Sequence, residues 1–306
     1  MDASFRIGVD LGGTKIEAAA LDGAGNVRLR RRMPTPTGDY HRTVAAIAGL
    51  VNEVERELGE RATVGVGIPG TIVETTGLVK NANSTWLIGR PLARDVEQAL
   101  DRPVRFANDA NCFALSEAAD GAAAGCSCVF GVILGTGVGG GIAIDGRILV
   151  GANAIAGEWG HNPLPALRPD ELPGPACYCG RRGCIETFLS GPGLAADHRR
   201  CTGRDLTGRQ IVAGAAAGDP DCAGSLDRYA DRLARALAIV INILDPDAIV
   251  LGGGLSQLDF LYAEVPRRWG RHILSDTIVT RLLPPRHGDS SGVRGAAWLW
   301  RLEEKP

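Results

Sequence analysis

The chain has no excess of basic charge: 33 lysines and arginines stand against 35 aspartates and glutamates, a net charge of −2. A general nucleic-acid binder or membrane-surface protein needs a cationic face to meet phosphate, so both classes are disfavoured. The one short basic run, Arg30, Arg31 and Arg32, reads as the solvated end of a strand. No apolar stretch approaches the roughly 20 residues of a membrane-spanning helix. The opening MDASFRIGVDLGG runs straight into a strand pattern and leaves no room for a signal peptide, so a cytoplasmic protein is expected. In such a compartment eight cysteines do not read as a disulfide framework; a tight cluster of them points to metal instead.

What the chain does have is a stretch used twice. Residues 8–23, GVDLGGTKIEAAALDG, align without a gap on residues 131–146, GVILGTGVGGGIAIDG. Gly8/Gly131, Val9/Val132, Leu11/Leu134, Gly12/Gly135 and the closing Asp22-Gly23/Asp145-Gly146 are identical. Each copy reads as strand, tight glycine turn and strand, with a break before a third strand. A helix follows the first copy, with Val44, Ile47, Ala48, Val51, Val54 and Leu58 on one face. Helices and strands then alternate in both halves. The order predicts an α/β protein: a two-domain, actin-like ATPase (ribonuclease H-like) fold with duplicated βββαβα units and an interdomain cleft. The expected division is 1–115 and 116–306, with a C-terminal helix at about 290–306 packing back on the first domain.

Two matched glycine turns suit a polyphosphate. In DLGGTK, Gly12 and Gly13 let backbone N–H groups approach phosphate, Thr14 adds a hydroxyl, Lys15 lies just beyond, and Asp10 at the strand end can hold hydrated magnesium. The second turn, Gly135, Thr136 and Gly137, has Ile133 where the first has Asp10, and reads as the loop over the terminal phosphates. Gly252, Gly253 and Gly254 follow the apolar strand Ala248–Leu251, where the carboxyl end of a strand admits a base or ribose. Asn108 and Asp109 stand where a strand gives way to a helix. Asp109 is there either an N-cap or the carboxylate that accepts a hydroxyl proton in phosphoryl transfer, and beside phosphate loops we take it as the candidate base. His161, Cys177, Cys179 and Cys184 supply one nitrogen and three sulfurs, a common set for a closed, structural zinc site. The scattered Cys112, Cys126, Cys128, Cys201 and Cys222 read as packing residues.

DLGGTK, the second glycine loop, GEWGH, CxCGxxGCxE and VLGGG, in this order and over essentially the whole chain, resemble the ROK family of repressors and sugar kinases. KNANSTWL, ANDANC, GEWGHNPLP and HGDSSGVRGAAWLW look most like its bacterial fructokinase/mannokinase branch. The resemblance implies ATP- and Mg2+-dependent phosphorylation of a hexose, fructose or mannose, at its 6-hydroxyl. Glucokinase or N-acetylhexosamine kinase is the alternative, and a non-catalytic sugar-binding regulator a more distant one. It also implies that Asn108, Asp109, Glu158, His161 and Glu186 contact the sugar, with Asn83 a further sugar-side candidate, that His161 serves both sugar and zinc, and that the protein is a homodimer. Family repressors carry an N-terminal helix-turn-helix, and only a few residues precede strand one here. The one departure is the spacer of fifteen residues between His161 and Cys177, a proline-rich insert suited to a lid or subunit contact.

Overall fold

The computed structural model describes residues 5–301 and contains two five-stranded sheets of the same strand order. The first half runs β1 (Phe5–Leu11), β2 (Lys15–Asp22), β3 (Val27–Pro34), α1 (Tyr40–Leu58), β4 (Thr63–Ile68), a two-strand hairpin of β5 (Thr71–Ile72) and β6 (Val79–Lys80), α2 (Leu92–Leu100), β7 (Arg105–Asn108) and α3 (Asp109–Ala119). Its sheet has the order β3-β2-β1-β4-β7, with β1 antiparallel to β2 and parallel to β4. The second half runs β8 (Cys128–Leu134), β9 (Val138–Ile144), β10 (Arg147–Ile148), α4 (Ile185–Leu189), α5 (Gly191–Thr202), α6 (Gly208–Ala216), α7 (Pro220–Leu244), β11 (Ala248–Gly252), α8 (Phe260–Trp269), β12 (Arg281–Leu283) and α9 (Ser291–Trp298). Its order, β10-β9-β8-β11-β12, repeats the first. The aligned segments 8–23 and 131–146 are therefore β1–β2 and β8–β9, and the duplication read in the sequence is a duplication of topology.

Packing divides the chain into two units. One comprises residues up to Gly125, Gly141–Ala156 and Arg286 onward; the other comprises Cys126–Gly140 and Gly157–Pro285. In the first unit α1 starts because the Asp39 side chain accepts the Arg42 N–H and stops at Gly59, which takes a left-handed conformation. Its Ile47, Val51 and Val54 are fully buried. All six residues of β4 are buried, as expected for a parallel strand covered on both faces.

One of those covers is α9. A Cβ on Gly8 of β1 would lie 1.9 Å from the Val293 carbonyl oxygen, and one on Gly65 of β4 1.9 Å from that of Ala296. Gly295 in turn would meet the Cys112 carbonyl of α3 at 1.7 Å. Backbone is thus pressed on backbone, and the end of α9 and the chain beyond it are pinned too: the buried Arg6 guanidinium stacks 3.6 Å from the Trp298 ring, and Trp300 Nε1 donates to the Val64 carbonyl at 2.6 Å. The terminal helix is shorter than the expected 290–306, ending at Trp298; residues 302–306 lie outside the described residues.

Three readings need correction. Arg30, Arg31 and Arg32 lie within β3 rather than at a solvated strand end. Arg30 and Arg32 both pair with Glu17 of β2, a carboxylate 2% exposed, while Arg31 pairs with Glu57 of α1. Glu17 on one strand and alternate arginines on the next are the charge pairing that an antiparallel ladder permits. Of the scattered cysteines, Cys112 and Cys222 are buried, but Cys201 is exposed and Cys126 and Cys128 are half-buried, so packing does not account for all five. The proline-rich insert, for its part, is tied down inside its own unit. Glu171 meets Arg232 at 2.8 Å and Arg235 at 2.7 Å, all three nearly solvent-free, and Arg235 Nη1 donates to the carbonyls of Pro165 and Ala166. Arg232 also faces Asp197 of α5 at 3.0 Å, so α7 carries a buried string of alternating charge. Among the described residues no helix is long and apolar enough to cross a membrane.

Gly65→Ala should cost about 3 kcal/mol, the upper range for overpacking, measured as a lower denaturant midpoint; an unchanged midpoint would mean that α9 does not press on β4. The charge network is open to a test by acid. Burial alone would raise the Glu171 carboxyl, but hydrogen bonds from Arg235, the Arg168 N–H and Arg232 outweigh it and hold it at about 2. Burial would likewise raise the Asp197 carboxyl, but Arg232 and Arg200 outweigh it and hold it at about 2. Both folded values lie below the ordinary 4.5 and 3.8, so the unfolded chain binds more protons as pH falls. The stabilisation is complete above about pH 4.5 and is lost as pH falls toward 2. Glu171→Ala, which strands two buried arginines, should cost about 3–5 kcal/mol at neutral pH and flatten that acid limb. An unchanged acid limb would show that the network does not set it.

Candidate active site

In the first unit the glycine turn follows directly from the β1–β2 register, which pairs Asp10 with Glu17 and Leu11 with Ile16. Gly12 N–H closes the turn on the Lys15 carbonyl at 3.0 Å, and Thr35 Oγ1 donates to the Gly12 carbonyl at 2.7 Å. Gly13, Thr14 and Lys15 are left exposed. Asp10 sits behind the turn. Its carboxyl is pushed up to about 6, first by burial, then by Asp109 and Glu17, with Lys15 opposing. Two carboxylates repelling each other at a strand end suit a divalent cation, whose charge would reverse that push. Gly292 of α9 leaves the room: a Cβ there would come 3.2 Å from Asp10 Oδ2.

The cap of α3 belongs to Asn108. Its side chain accepts the Ala110 N–H at 2.9 Å and donates to the Gly70 carbonyl at 3.1 Å. Asp109, the first helical residue, accepts the same N–H at 2.8 Å and keeps its side chain exposed. The Cys112 thiol beneath is pushed well up by burial first and then by Asp10 and Asp109, which places all three in one electrostatic neighbourhood. Asn83 is exposed in the loop after β6.

In the second unit the glycines of loop 135–137 and of 252–254 lie at the carboxyl ends of adjacent parallel strands, where Ile133 of β8 pairs with Gly252 of β11. Gly253 needs both properties of glycine, with φ at +81° and only 2.4 Å between a Cβ and the Leu134 carbonyl oxygen.

Against this strand end lie the segments carrying Glu158, His161 and Glu186. Glu158 is exposed and precedes the 3-10 turn Trp159–His161; Trp159 Nε1 donates to the Gly139 carbonyl at 3.1 Å, and its ring meets Phe130 edge-on with centroids 5.6 Å apart. Glu186 stands in the first turn of α4, and its Oε2 accepts the Val138 N–H at 2.9 Å. The two segments are laced together: Ile185 N–H donates to the Asn162 carbonyl at 2.8 Å, and Leu164 N–H to the Gly183 carbonyl at 2.8 Å.

The lacing ends in the histidine–cysteine cluster. One ligand atom from each of His161, Cys177, Cys179 and Cys184 lies within 4.8 Å of every other. Cys177 Sγ is 3.6 Å from His161 Nδ1, and Cys179 Sγ is 3.6 Å from Cys184 Sγ. Zinc bonds of about 2.3 Å to sulfur and 2.0–2.1 Å to nitrogen give tetrahedral edges of about 3.5–3.8 Å, so these two separations fit. The Cys179 thiol is lowered to about 7, chiefly by the Arg181 N–H. Cys184 is pushed up to about 12 by burial first and then by its bonds to Cys179 and Cys177. Sulfurs sharing protons in this way are a preformed place for one cation.

His161 Nε2 meets the Tyr178 hydroxyl at 2.9 Å, so both ring nitrogens are occupied, and a direct bond from Nε2 to a sugar requires Tyr178 to yield. Sequence reasoning missed Tyr178, whose ring stands edge-on to His161; an aromatic residue inside CxC was the available signal. Such a partner on the far nitrogen orients a metal-bound imidazole.

Cys179→Ser should bind less than one zinc per chain, read by metal analysis of the purified protein, and should open the 177–184 loop to proteolysis. Full zinc occupancy in this variant would refute the ligand set.

A protein-family model described as the ROK family matches residues 6–303. The chain is 41% identical over 302 residues to an N-acetyl-D-glucosamine kinase of Yersinia pseudotuberculosis, covering 97% of this chain and 99% of the relative. It is 40% identical over 296 residues to the enzyme of that name from Escherichia coli, covering 95% and 98%. Among solved structures it superposes on a ROK hexokinase from Thermus thermophilus with a TM-score of 0.87 at 33% identity, covering 98% of each chain. A ROK family glucokinase from Streptomyces griseus, in complex with glucose and AMPPNP, matches with a TM-score of 0.75 at 29% identity, over 97% of this chain and 99% of the other. The actin-like α/β fold expected from the sequence is that of these structures, whereas the expected fructokinase/mannokinase branch finds no support among these relatives. The chain belongs to the ROK family, and within it to the sugar kinases.

Proposed function

We propose that the protein is an ATP-dependent N-acetyl-D-glucosamine kinase that phosphorylates the sugar 6-hydroxyl. The observation that carries the choice of sugar is the 41% identity, over nearly the whole of both chains, to an enzyme named for that substrate. This reading takes the N-acetylhexosamine alternative over fructose and mannose.

The chemistry assigned to the residues follows from their surroundings. In the first unit the N–H groups of Gly13 and Thr14 and the Thr14 hydroxyl are assigned to ATP phosphate; in the second, those of Thr136 and Gly137 are, with Gly252–Gly254 assigned to adenosine. Magnesium, held at Asp10, supplies charge to the phosphates when bound. Glu158, Glu186 and Asn108 give the sugar acceptors and donors at fixed positions, which discriminates hydroxyls because an unmatched buried polar group is costly. Asp109 takes the hydroxyl proton as the sugar oxygen bonds to the γ-phosphorus and ADP leaves with the electron pair of the broken P–O bond. His161, Cys177, Cys179 and Cys184 would hold zinc, which would supply no reacting group and would fix the segments that carry Glu158 and Glu186.

ADP release with Mg-ATP across N-acetylglucosamine, N-acetylmannosamine, glucose, fructose and mannose tests the reading. The highest kcat/KM is expected with N-acetylglucosamine, and Asp109→Asn should lower kcat by about 10²–10⁴-fold while sugar binding persists. Fructose in first place would restore the fructokinase branch; near-normal turnover by the Asp109→Asn variant would remove Asp109 from the base role.

A further inference from the structure

Resting on the kinase reading, we propose that Glu186 is a positioning residue of the second phosphate loop as well as a sugar contact, and that through it an occupied sugar site tightens the grip on nucleotide phosphate.

Val138 opens β9 directly after Gly135–Thr136–Gly137, and its N–H is held by a side chain, Glu186 Oε2 at 2.9 Å. The carboxylate is wedged tightly: a Cβ on Gly137 would lie 2.6 Å from Oε2, so the loop is shaped around Glu186. Just past the end of α4, the same segment returns to the loop, where Gly191 N–H donates to the Gly135 carbonyl at 2.8 Å. The other sugar-side segment grips the following residues. Trp159 bonds the Gly139 carbonyl, and a Cβ on Gly160 would lie 2.1 Å from the Val138 carbonyl oxygen. His161 and Cys184, both in the candidate zinc cluster, staple these two segments to each other.

The loop therefore has no freedom independent of the groups assigned to the sugar. With Oε2 committed to Val138, Oε1 is the oxygen left to meet a sugar hydroxyl. A hydroxyl fixing Oε1 fixes the whole carboxylate, and with it the Val138 peptide that ends the phosphate loop. Because binding linkage is reciprocal, the loop should report on the sugar as the sugar reports on the loop.

The test is calorimetric binding of AMPPNP with and without saturating N-acetylglucosamine, together with amide exchange at Val138 in the ligand-free protein, for wild type, Glu186→Gln and Glu186→Ala. In wild type the sugar should tighten AMPPNP by about 10-fold, within the range of ordinary coupling. Glu186→Ala should reduce that factor to about one and speed Val138 exchange by about 10-fold or more, the signature of a lost acceptor. Glu186→Gln keeps an acceptor oxygen and should retain most of the protection. Gly137→Ala, altered only in the loop, should weaken N-acetylglucosamine binding by displacing the carboxylate.

Wild-type protection and coupling in Glu186→Ala would overturn the proposal, as would a wild-type protein whose AMPPNP affinity ignores the sugar. Equal loss in Glu186→Gln and Glu186→Ala would overturn it too, since the amide preserves the acceptor. A wild-type chain that binds neither ligand would sink the kinase reading itself, while the ligand-free exchange at Val138 would still decide the positioning role.

Discussion

Main chain lying directly against main chain is the constraint on which most of this structure depends. At Gly8, Gly65 and Gly295 it seats α9 on the first sheet and on α3, and at Gly160 and Gly253 it brings turn segments onto the strand ends of the second. None of these contacts tolerates a Cβ, because the atom met is a carbonyl oxygen rather than the end of a flexible side chain. The layers are close because glycine stands at each of these crossings. The site inherits that closeness: peptide N–H groups can serve a phosphate only where no side chain covers them.

The same constraint explains what was legible in the sequence. The repeat of residues 8–23 in 131–146 announced the strand–turn–strand start of each sheet, since the glycine turn and the Asp-Gly break are local features with local signatures. The cysteine–histidine spacing likewise located a four-atom cluster within 4.8 Å. What could not be read was set by long-range partners. Arg30 and Arg32 read as a solvated strand end because their pairing with Glu17 runs across a strand ladder. Asn108 rather than Asp109 takes the cap, a choice settled by the approach of the Gly70 carbonyl. The 162–176 insert suggested a lid or subunit contact because nothing near it in sequence says that Glu171 finds Arg232 and Arg235 about sixty residues on. The preferred sugar was the least legible of all, since a few loop contacts separate one hexose from another.

Charge and shape divide the work between the two units. In the first, burial and the neighbouring Asp109 and Glu17 raise the Asp10 carboxyl, with Lys15 opposing. In the second, negative groups are matched as they are buried: Glu171 and Asp197 by arginines, Glu186 by a peptide N–H. Acids brought close to one another therefore mark where chemistry is expected, and those met by arginine mark where the scaffold is held.

The position of α9 carries a consequence for how the protein is made. The buried face of β4 and the backbone of β1 leave a ribosome more than two hundred residues ahead of the helix that covers them, which is encoded at residues 291–298. The second unit, Cys126–Gly140 with Gly157–Pro285, has all its residues once Pro285 is made, while the earlier sheet waits for α9. Domain order in the gene is thus the reverse of the order in which the layers can be completed, and the nascent chain must be kept from sticking to itself or to its neighbours through most of translation.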